Sequence, residues 1–508
     1  MCAAMASGLL AACMLPACTV GPDFVRPTPQ APAHWSTRAT APPAPEQRPT
    51  APADGAAAPP SSVDEQNAEL RSWWRGLEDP KLDSLIERAV QSNLDLRAAV
   101  LRIEEARAQR AIAAAAFWPT LSVDASYSRQ RFSETTPTGS LLTTVGGARG
   151  PGGASVNIPN PYNQFQLSAG ASWEIDLFGR VRRSVEAAQA GVQVSIEDQR
   201  AVLVSVVADV AQSYTELRGA QARLRVAREN LATINELLDL TRQRRAAGLT
   251  TDIDVGNAIA QADATSADLP AFELEITQNV NQLSRMLGQE PEALRPELDG
   301  AAPVPSVPAN VSIGLPADLA RRRPDIREAE ANLHAATAQI GVAVADLFPR
   351  LTLAANGGLQ SDATGNLFAW ASRFGSLGPT LDVPVFDRGR WKTVRLYDVR
   401  AQEAALAYQR TVLDALHEVE NALAAYAADQ RRRTWLEAAV AQNRDALALS
   451  RQRYENGLVT FIDVLDMQRT LRQNELSLAD SVAAVTTDLV RLYRALGGGW
   501  QPGPQGAT

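Results

Sequence analysis

The sequence predicts an internally duplicated α+β membrane protein, in which each chain contributes four β-strands to a β-barrel that is continued by a long α-helical coiled coil. Three observations predict this class. Residues 391–456 contain neither proline nor glycine, and an unbroken helix of that length is roughly 100 Å long. The same pattern occurs earlier in the chain. Four further segments alternate apolar and polar residues with the period of a β-strand.

The long segment contains a coiled-coil seam, in which apolar residues are spaced alternately by four and three positions. The seam consists of Val412, Leu416, Val419, Leu423 and Tyr426. Subtracting 209 from each number gives an equivalent seam, which consists of Leu203, Val207, Val210, Tyr214 and Leu217. A period of this length indicates a duplicated domain rather than a solenoid. We therefore expect two helix-strand-strand-helix-helix repeats, over 79–300 and 312–497.

Composition and charge exclude several classes of function. The chain has 508 residues, a formal net charge of −8 and only three histidines, so we expect neither a nucleic-acid partner nor a histidine-based metal site. All three cysteines lie within the first 18 residues, which leaves the rest of the chain without a cysteine nucleophile. No serine, histidine and aspartate group indicates catalysis. We therefore expect no enzyme activity and no cofactor other than a covalent lipid.

The first residues resemble the signal peptide of a bacterial lipoprotein. Residues 1–17 end in Leu15-Pro16-Ala17 directly before Cys18, which is similar to the sequence cut by lipoprotein signal peptidase. On this interpretation Cys18 becomes the acylated first residue, and its three acyl chains anchor it stably. Residues 1–17 contain no Lys or Arg, unlike an ordinary signal, and the alternative is a chance cysteine in a signal cleaved elsewhere. Residues 18–63 hold eleven prolines and predict an extended tether.

Each repeat begins with a helix that ends at a proline and is followed by two strands. The predicted helices are 81–116 and 317–347, and the predicted strands lie around 121–127, 165–177, 351–359 and 377–385. Strands of about ten residues with strict alternation are typical of transmembrane barrels. The alternative is a soluble sandwich, whose strands are mostly shorter. Pro379 and Pro384 predict that the fourth strand pairs poorly at its inner end.

Each repeat continues with one long and one shorter helix. The predicted ranges are 181–247 and 252–287 in the first repeat, and 391–456 and 461–496 in the second. Two short helices placed end to end are as long as one long helix, so the helices can form a tube of rods that extends beyond the membrane. We expect the irregular segment 288–312, the tail 498–508 and the lead-in at Trp73-Trp74 to lie where the short helices meet.

Four strands are too few to close a barrel, since single-chain barrels begin at about eight strands. Open strand edges are not tolerated in lipid, because each unpaired backbone group costs several kcal/mol. The chain must therefore oligomerise, and two, three or four copies would each close a ring. The loop between the first two strands, 133–163, is long, and the loop 361–373 is short. Long outer loops fit the topology of outer-membrane barrels.

The second repeat contains a set of specific motifs. They are Leu315-Pro316-Ala317-Asp318-Leu319, Arg322-Arg323-Pro324-Asp325-Ile326, Ala329-Glu330 and Ile340-Gly341 with Phe348-Pro349. These motifs resemble the outer-membrane factor family of tripartite efflux systems, the TolC-like channels, and more closely its OprM/NodT-type lipoprotein branch. The resemblance covers about residues 79–497, and the Arg-Arg-Pro-Asp block is highly specific to it.

The resemblance implies a homotrimer, and hence a trimeric twelve-stranded outer-membrane β-barrel continued by an α-helical barrel in the periplasm. Members of this family are exit ducts that work with a periplasmic adaptor protein and an inner-membrane pump. The lipoprotein branch usually serves pumps of the resistance-nodulation-division type. The expected location is therefore the outer membrane, with a lipid anchor at Cys18.

The resemblance also places functional residues at the two turns that join long and short helices. In this family the turns form the periplasmic mouth, and adaptor contacts fall on Gly-Leu tips, here Gly248-Leu249 and Gly457-Leu458. A gate of aspartates matches Asp463 and Asp466. A hydrogen-bonded latch matches Tyr454 and Asp254, although Val459 stands where the family has the latch arginine.

Two of these assignments have a purely structural alternative. A glycine at the end of a helix also serves as its C-cap. The patterns Thr251-x-x-Asp254 and Thr460-x-x-Asp463 also resemble capping boxes. Asp466 lies beyond the cap positions, so a ring of carboxylates around a symmetry axis, which would attract cations, is best expected there.

The predicted function is a passive efflux duct for drugs or other small molecules, gated at the helical tips. The alternatives within the same class are an outer-membrane duct for type I protein secretion and one for metal-ion efflux. A lipid-anchored periplasmic coiled-coil scaffold is the alternative from a different class, and the alternating strands argue against it. A wide duct selects little, so the sequence predicts no single substrate.

Overall fold

The computed structural model describes residues 19–28, 31–36, 62–64, 70–133, 135–137, 140 and 160–501. Its main elements, in chain order, are β1 (Ser62–Asp64), a 3₁₀ helix (Leu70–Leu77), α1 (Pro80–Ser92), α2 (Leu94–Ala115), β2 (Thr120–Gln130), β3 (Tyr162–Ile175), α3 (Arg180–Ala246), α4 (Asp252–Met286), α5 (Arg295–Leu298), β4 (Asn310–Ser312), α6 (Leu319–Arg322), α7 (Pro324–Ala345), β5 (Arg350–Ser361), β6 (Arg373–Asp382), α8 (Arg388–Glu455) and α9 (Phe461–Ala495). The predicted signal 1–17 and the lipidation site Cys18 lie outside the described residues. Both stay predictions.

The four long strands and the long helices lie where the sequence predicts them. The helix α3 has 67 residues and α8 has 68 residues, and α4 and α9 have 35 residues each. The same order of helix, two strands and two helices therefore occurs twice. None of the described helices is both long enough and apolar enough to cross a membrane.

Two predicted helices are each broken in the structure, so those predictions were wrong. The range 81–116 is divided into α1 and α2 at Asn93, whose backbone is extended. The Asn93 side chain accepts a hydrogen bond from the Leu96 amide, which starts α2. The range 317–347 is divided at Arg323, which is also extended because the ring of Pro324 disfavours the helical conformation for the residue before it.

The described residues divide into two compact units, and each contains parts of both repeats. The strand unit contains Ala106–Val192 and Asn332–Ala404, with the N-terminal residues up to Val25. The helical unit contains Arg26–Glu105, Gln193–Ala331 and Ala405–Thr508.

The strand unit is built on one antiparallel sheet with the order β2-β3-β5-β6. Its apolar face is exposed: Leu121 and Val123 are 81% and 75% exposed, and Leu377 is 76% exposed. A soluble domain rarely leaves such a surface open to water, whereas lipid would cover it. Pro379 is paired opposite Leu353, so the prediction of poor pairing there was wrong, but β6 does end before Pro384.

The residues that follow Cys18 are packed against this unit. The Val20 amide donates to the Phe178 carbonyl at 3.2 Å, and Asp23 pairs with the buried Arg183 at 2.6 Å. Gly21 has a positive φ of 89°, and a Cβ there would lie only 2.6 Å from Gly341 Cα. A larger residue at position 21 is therefore excluded by both backbone conformation and space.

The helical unit contains the predicted coiled-coil seams, and their burial confirms them. Val210, Leu217, Val419, Leu423 and Tyr426 are completely buried, and all belong to one hydrophobic cluster. The hydroxyl of Tyr214, which is also buried, donates to Asp79 at 2.8 Å. Burial of about 25 cal/mol per Å² of apolar surface makes such seams the main source of the unit's stability.

The short helices meet where the irregular segments lie, as the sequence predicts. In the first repeat, the Asn93 side chain donates to the Met286 carbonyl at 2.9 Å. In the second repeat, the Arg323 guanidinium donates to the Ala495 carbonyl at 2.6 Å. Trp73 from the lead-in stacks on Tyr493 with ring centroids 4.9 Å apart. At each place where two short helices meet, a side chain thus donates a hydrogen bond to a backbone carbonyl near the end of the other helix.

A buried carboxyl group in the helical unit predicts a dependence of stability on pH. Asp488 is 5% exposed. Burial and the neighbouring Asp429 carboxyl raise its pKa from 3.8 to about 6, although Arg491 lowers it. Because the folded protein holds this proton more tightly than the unfolded chain, its free energy of unfolding should increase as the pH falls through about 6 towards 3.8.

We expect Asp488→Asn to raise the free energy of unfolding at pH 7.5 by on the order of 1–3 kcal/mol. The rise in the free energy of unfolding between pH 7.5 and pH 5 should then be smaller than in the wild type. The measurement is the thermal denaturation of the detergent-solubilised protein at both pH values. The matched control is Asp445→Asn, a change of the exposed Asp445 on α8, which should leave the pH dependence as in the wild type. An Asp488→Asn protein with an unchanged pH dependence would contradict this account.

Candidate functional site

The two tips, 246–254 and 455–463, have the same backbone geometry. Gly248 and Gly457 have positive φ angles of 74° and 72°. In the first tip, the Gly248 amide donates to the Arg245 carbonyl at 3.0 Å, and the Leu249 amide donates to the Arg244 carbonyl at 2.8 Å. The second tip repeats both bonds. This is a Schellman motif, so the C-cap explanation of both glycines is confirmed.

The cap does not explain the leucines that follow. A Schellman motif usually includes an apolar contact between the residue after the glycine and a helix residue five or six positions earlier. That helical position is Arg244 in one tip, and Leu249 and Leu458 are 65% and 73% exposed. Two isoleucines that sequence reasoning missed, Ile253 and Ile462, are 73% and 53% exposed. We call these four residues the tip patch. Ile253 and Ile462 are 209 positions apart, like Leu249 and Leu458. This repeat in the sequence could have identified them.

Asp254 and Asp463 both close capping boxes. The Asp463 carboxylate accepts hydrogen bonds from the Thr460 hydroxyl at 2.7 Å and from the Thr460 amide at 2.8 Å. These bonds lower the pKa of Asp463. At Asp254 burial acts to raise the pKa, but hydrogen bonds from Thr250 and Thr251 lower the pKa overall. Both carboxylates are therefore charged at neutral pH and stabilise the starts of α4 and α9.

Asp466 differs from these two residues. It is exposed on α9, one turn after Asp463. None of the side chains in the described ranges donates a hydrogen bond to its carboxylate. The capping explanation therefore does not apply to Asp466, and its predicted role in a gate stays a prediction, like the roles of the other tip residues.

Tyr454 makes a contact that the sequence did not predict. It is 2% exposed, and the Arg244 guanidinium lies over its ring, 4.6 Å from the centroid. Arg244 also donates to the Glu455 carbonyl at 2.9 Å. Within the described residues the Tyr454 hydroxyl has no hydrogen-bond partner, and the latch that the resemblance implies at Tyr454 and Asp254 stays a prediction. Arg244 thus joins the two tips.

The contact of Arg244 with Tyr454 and Glu455 gives a testable prediction, and the second repeat supplies the control residue. We expect Arg244→Ala to weaken the contact between the tips by about 1–2 kcal/mol, because it removes a partly desolvated cation–π contact and a hydrogen bond. Amide hydrogen exchange at 454–460 should then be faster. Arg453 is the equivalent residue 209 positions later and is exposed, so Arg453→Ala should leave that exchange rate unchanged. If the two substitutions changed the exchange rate equally, the claim that Arg244 joins the two tips would be contradicted.

Known proteins are similar to this chain in sequence and in fold. A family model for outer membrane efflux proteins matches residues 85–289 and 315–498. Outer membrane protein OprJ of Pseudomonas aeruginosa is 33% identical over 98% of this chain and 96% of its own length. The toluene efflux pump outer membrane protein TtgC of Pseudomonas putida is 33% identical over 96% of this chain and 94% of its own. The solved outer-membrane channel OprN is 32% identical and superposes with a TM-score of 0.81, covering 96% of this chain and 100% of that one.

Proposed function

The chain belongs to the outer membrane efflux protein family, and we propose that three copies form the exit duct of a tripartite pump of the resistance-nodulation-division type. The family, the outer-membrane location and the efflux-channel function predicted from the sequence are confirmed. The observation that carries the proposal is the four-stranded sheet with an exposed apolar face and two open edges. Such a sheet needs both lipid and further copies of itself.

Three copies supply twelve strands, and each copy also contributes its long helices α3 and α8. The duct is passive, and the energy for transport comes from the inner-membrane pump. The side chains at the tips form helix caps and the contact between Arg244 and Tyr454. The proposed duct includes no catalytic step. Relatives are named for the efflux of toluene and of antibiotics. By this similarity the substrates proposed here are small organic molecules of several classes.

The periplasmic adaptor protein binds at the tip patch. Four exposed apolar side chains on two neighbouring turns provide the kind of surface that protein partners cover. Gly248 and Gly457 shape the turns that present Leu249 and Leu458, while Ile253 and Ile462 enlarge the patch. Removal of this surface from water on docking supplies the affinity.

The gate lies beside the patch. Asp463 and Asp254 hold the helix starts, and Tyr454 with Arg244 holds the two tips together. Asp466 is then the carboxylate available to form a ring around the threefold axis. Such a ring attracts cations and is under mutual repulsion when it is narrow, which favours opening when the adaptor separates the tips.

Cys18 is the proposed lipid anchor. Its neighbours Thr19 and Val20 lie against Gly179 and Phe178 at the end of β3, the end from which α3 begins. The described residues that directly follow Cys18 are thus held beside the sheet that is proposed to lie in the membrane, which supports lipidation at this position.

The experiment for the proposed function is deletion of the gene in its own host, followed by complementation. We expect the deletion strain to become sensitive to several unrelated antibiotics, dyes and solvents, and the complemented strain to recover. Metal salts and secretion of proteins serve as the comparison. Sensitivity to metal salts alone, or loss of a secreted protein alone, would replace this proposal with one of the two other duct functions.

A further inference from the structure

The apolar face of the sheet carries two charged side chains, and both are arginines at its outer end. Arg129 follows Tyr127 on β2 at a step of two, and Arg373 begins β6 four residues before Leu377. Each therefore shares the face of the apolar side chains of its strand. None of the other residues on that face of β2, β3, β5 and β6 is charged. We propose that these outer arginines bind phosphate groups of lipid headgroups in the outer leaflet.

The outer arginines are exposed and form no ion pair with the residues that the structure describes. Arginines near the inner ends of the strands differ. Arg180 pairs with Glu174 at 2.6 Å, and Arg350 pairs with Asp346 at 2.8 Å. An exposed arginine in water needs no partner, but on a face that lipid covers an unpaired charge is costly. The outer arginines therefore have hydrogen-bond donors available to an anion from outside the chain.

The height of Arg129 on the sheet matches the level of the headgroups. Arg129 lies eight residues after Leu121, which at about 3.4 Å per residue and a tilt of about 40° is a rise of roughly 20 Å. The apolar band of an outer-membrane barrel is about 25 Å tall. Tyr127 is 58% exposed, and its hydroxyl donates to Asn163 at 3.2 Å. Because tyrosine is enriched at membrane interfaces, Arg129, two residues further out, lies at the boundary.

Arg373 is held by an aromatic side chain from the loop between β5 and β6. Its guanidinium carbon lies 3.4 Å from the centroid of the Trp370 ring. Trp370 and Phe368 are 79% and 76% exposed, and both lie in the short loop beyond the outer end of the sheet. Aromatic side chains of this kind are enriched where lipid meets water. Stacking on one face of the guanidinium group leaves its N–H edges open to an anion.

The chemistry of the outer arginines fits phosphate in particular. A guanidinium group donates two parallel hydrogen bonds to one phosphate group, a geometry that an ammonium group does not provide. The strands β2 and β6 form opposite edges of the sheet and are three strand spacings of about 4.8 Å apart. Each outer arginine therefore binds a phosphate of its own. An arginine close to an anionic membrane surface strengthens binding by about fivefold.

The test is a lipid titration of the purified full-length protein in non-ionic detergent micelles at low salt. The probes are diphosphorylated lipid A, the same lipid without its phosphates, and inorganic phosphate. Native mass spectrometry measures the dissociation constant for each probe. We expect the diphosphorylated lipid to bind the wild type clearly more tightly than the dephosphorylated lipid does. We expect the double variant Arg129→Gln with Arg373→Gln to bind the diphosphorylated lipid more weakly, by about fivefold for each arginine removed.

The matched control is Arg388→Gln, which removes the same charge at the inner end of the strand unit. Arg388 is exposed at the start of α8, so the control and the test residues differ in position rather than in chemistry. Arg388→Gln should bind the diphosphorylated lipid as the wild type does. All variants change exposed side chains, and each should assemble as the wild type does in the same mass spectra.

Three results would overturn the proposal. The double variant and the wild type would bind the diphosphorylated lipid equally, or the lipid without phosphates would bind as tightly as the lipid with them. In the third, inorganic phosphate would displace the lipid at equal concentration, which would make the site one for a free anion. The proposal goes beyond the duct, because it concerns the lipid around the sheet. The duct itself is decided by the deletion strain, so the two failures are distinguishable.

Discussion

Replacing both Leu249 and Leu458 with aspartate is expected to abolish efflux. The two leucines are 65% and 73% exposed, and each directly follows the glycine that ends its long helix. Residues central to an interface commonly contribute about 2 kcal/mol or more each, and burial of an unpaired carboxylate adds a further cost. The inhibitory concentrations of exported compounds should fall to those of the deletion strain, and adaptor protein should no longer copurify.

The matched control is the substitution of both leucines with methionine, which keeps apolar character and nearly the same volume. This variant should export as the wild type does. Because the changed side chains lie outside the core, both variants should reach the outer membrane at the wild-type level. Normal export and normal adaptor recovery with the aspartate variant would remove the tip patch from the adaptor site.

Leu217→Ala and Leu423→Ala are each expected to destabilise the protein by about 2–5 kcal/mol. Both leucines are completely buried in the seams of α3 and α8, where a cavity would remain after truncation. Their heat-induced loss of structure in detergent should occur at clearly lower temperature than in the wild type. Leu413→Ala, at a 54% exposed position of α8, is the control and should change stability by far less. If all three variants were equally stable, the seams would not be the core.

Much of the fold could be predicted because its elements are long and its breaks are chemically marked. The long helix predicted over 181–247 is found at Arg180–Ala246, and that predicted over 391–456 is found at Arg388–Glu455. Glycine ends each of them in a left-handed conformation that other residues rarely adopt. Strict alternation identified the strands, since a membrane barrel must present one apolar face.

The breaks within the short helices could not be predicted equally well. Asn93 interrupts α1 and α2 without a proline or glycine nearby, because its amide group bonds the Met286 carbonyl from a helix 193 positions later. That tertiary contact leaves no signal in the local sequence, although Asn93 is of a residue type that often begins a helix. The break at Arg323 could have been predicted, since Pro324 follows it.

The sequence predicted where the two tips lie in the chain, but it did not predict all of their side-chain contacts. The capping geometry follows from local sequence, so Thr251 with Asp254 and Thr460 with Asp463 were recognisable. The contact of Arg244 with Tyr454 joins residues from separate hairpins, and no periodicity encodes it. The exposure of Ile253 depends on which face of α4 is packed, which only the structure provides.

The most direct measurement of the central claim is the assembly and conductance of the purified full-length protein in planar lipid bilayers. If two repeats per chain each lend two strands to a shared wall, native mass spectrometry should give an assembly of three chains, and that assembly should produce discrete steps of ionic current. A water-soluble single chain that produces no current would contradict the account.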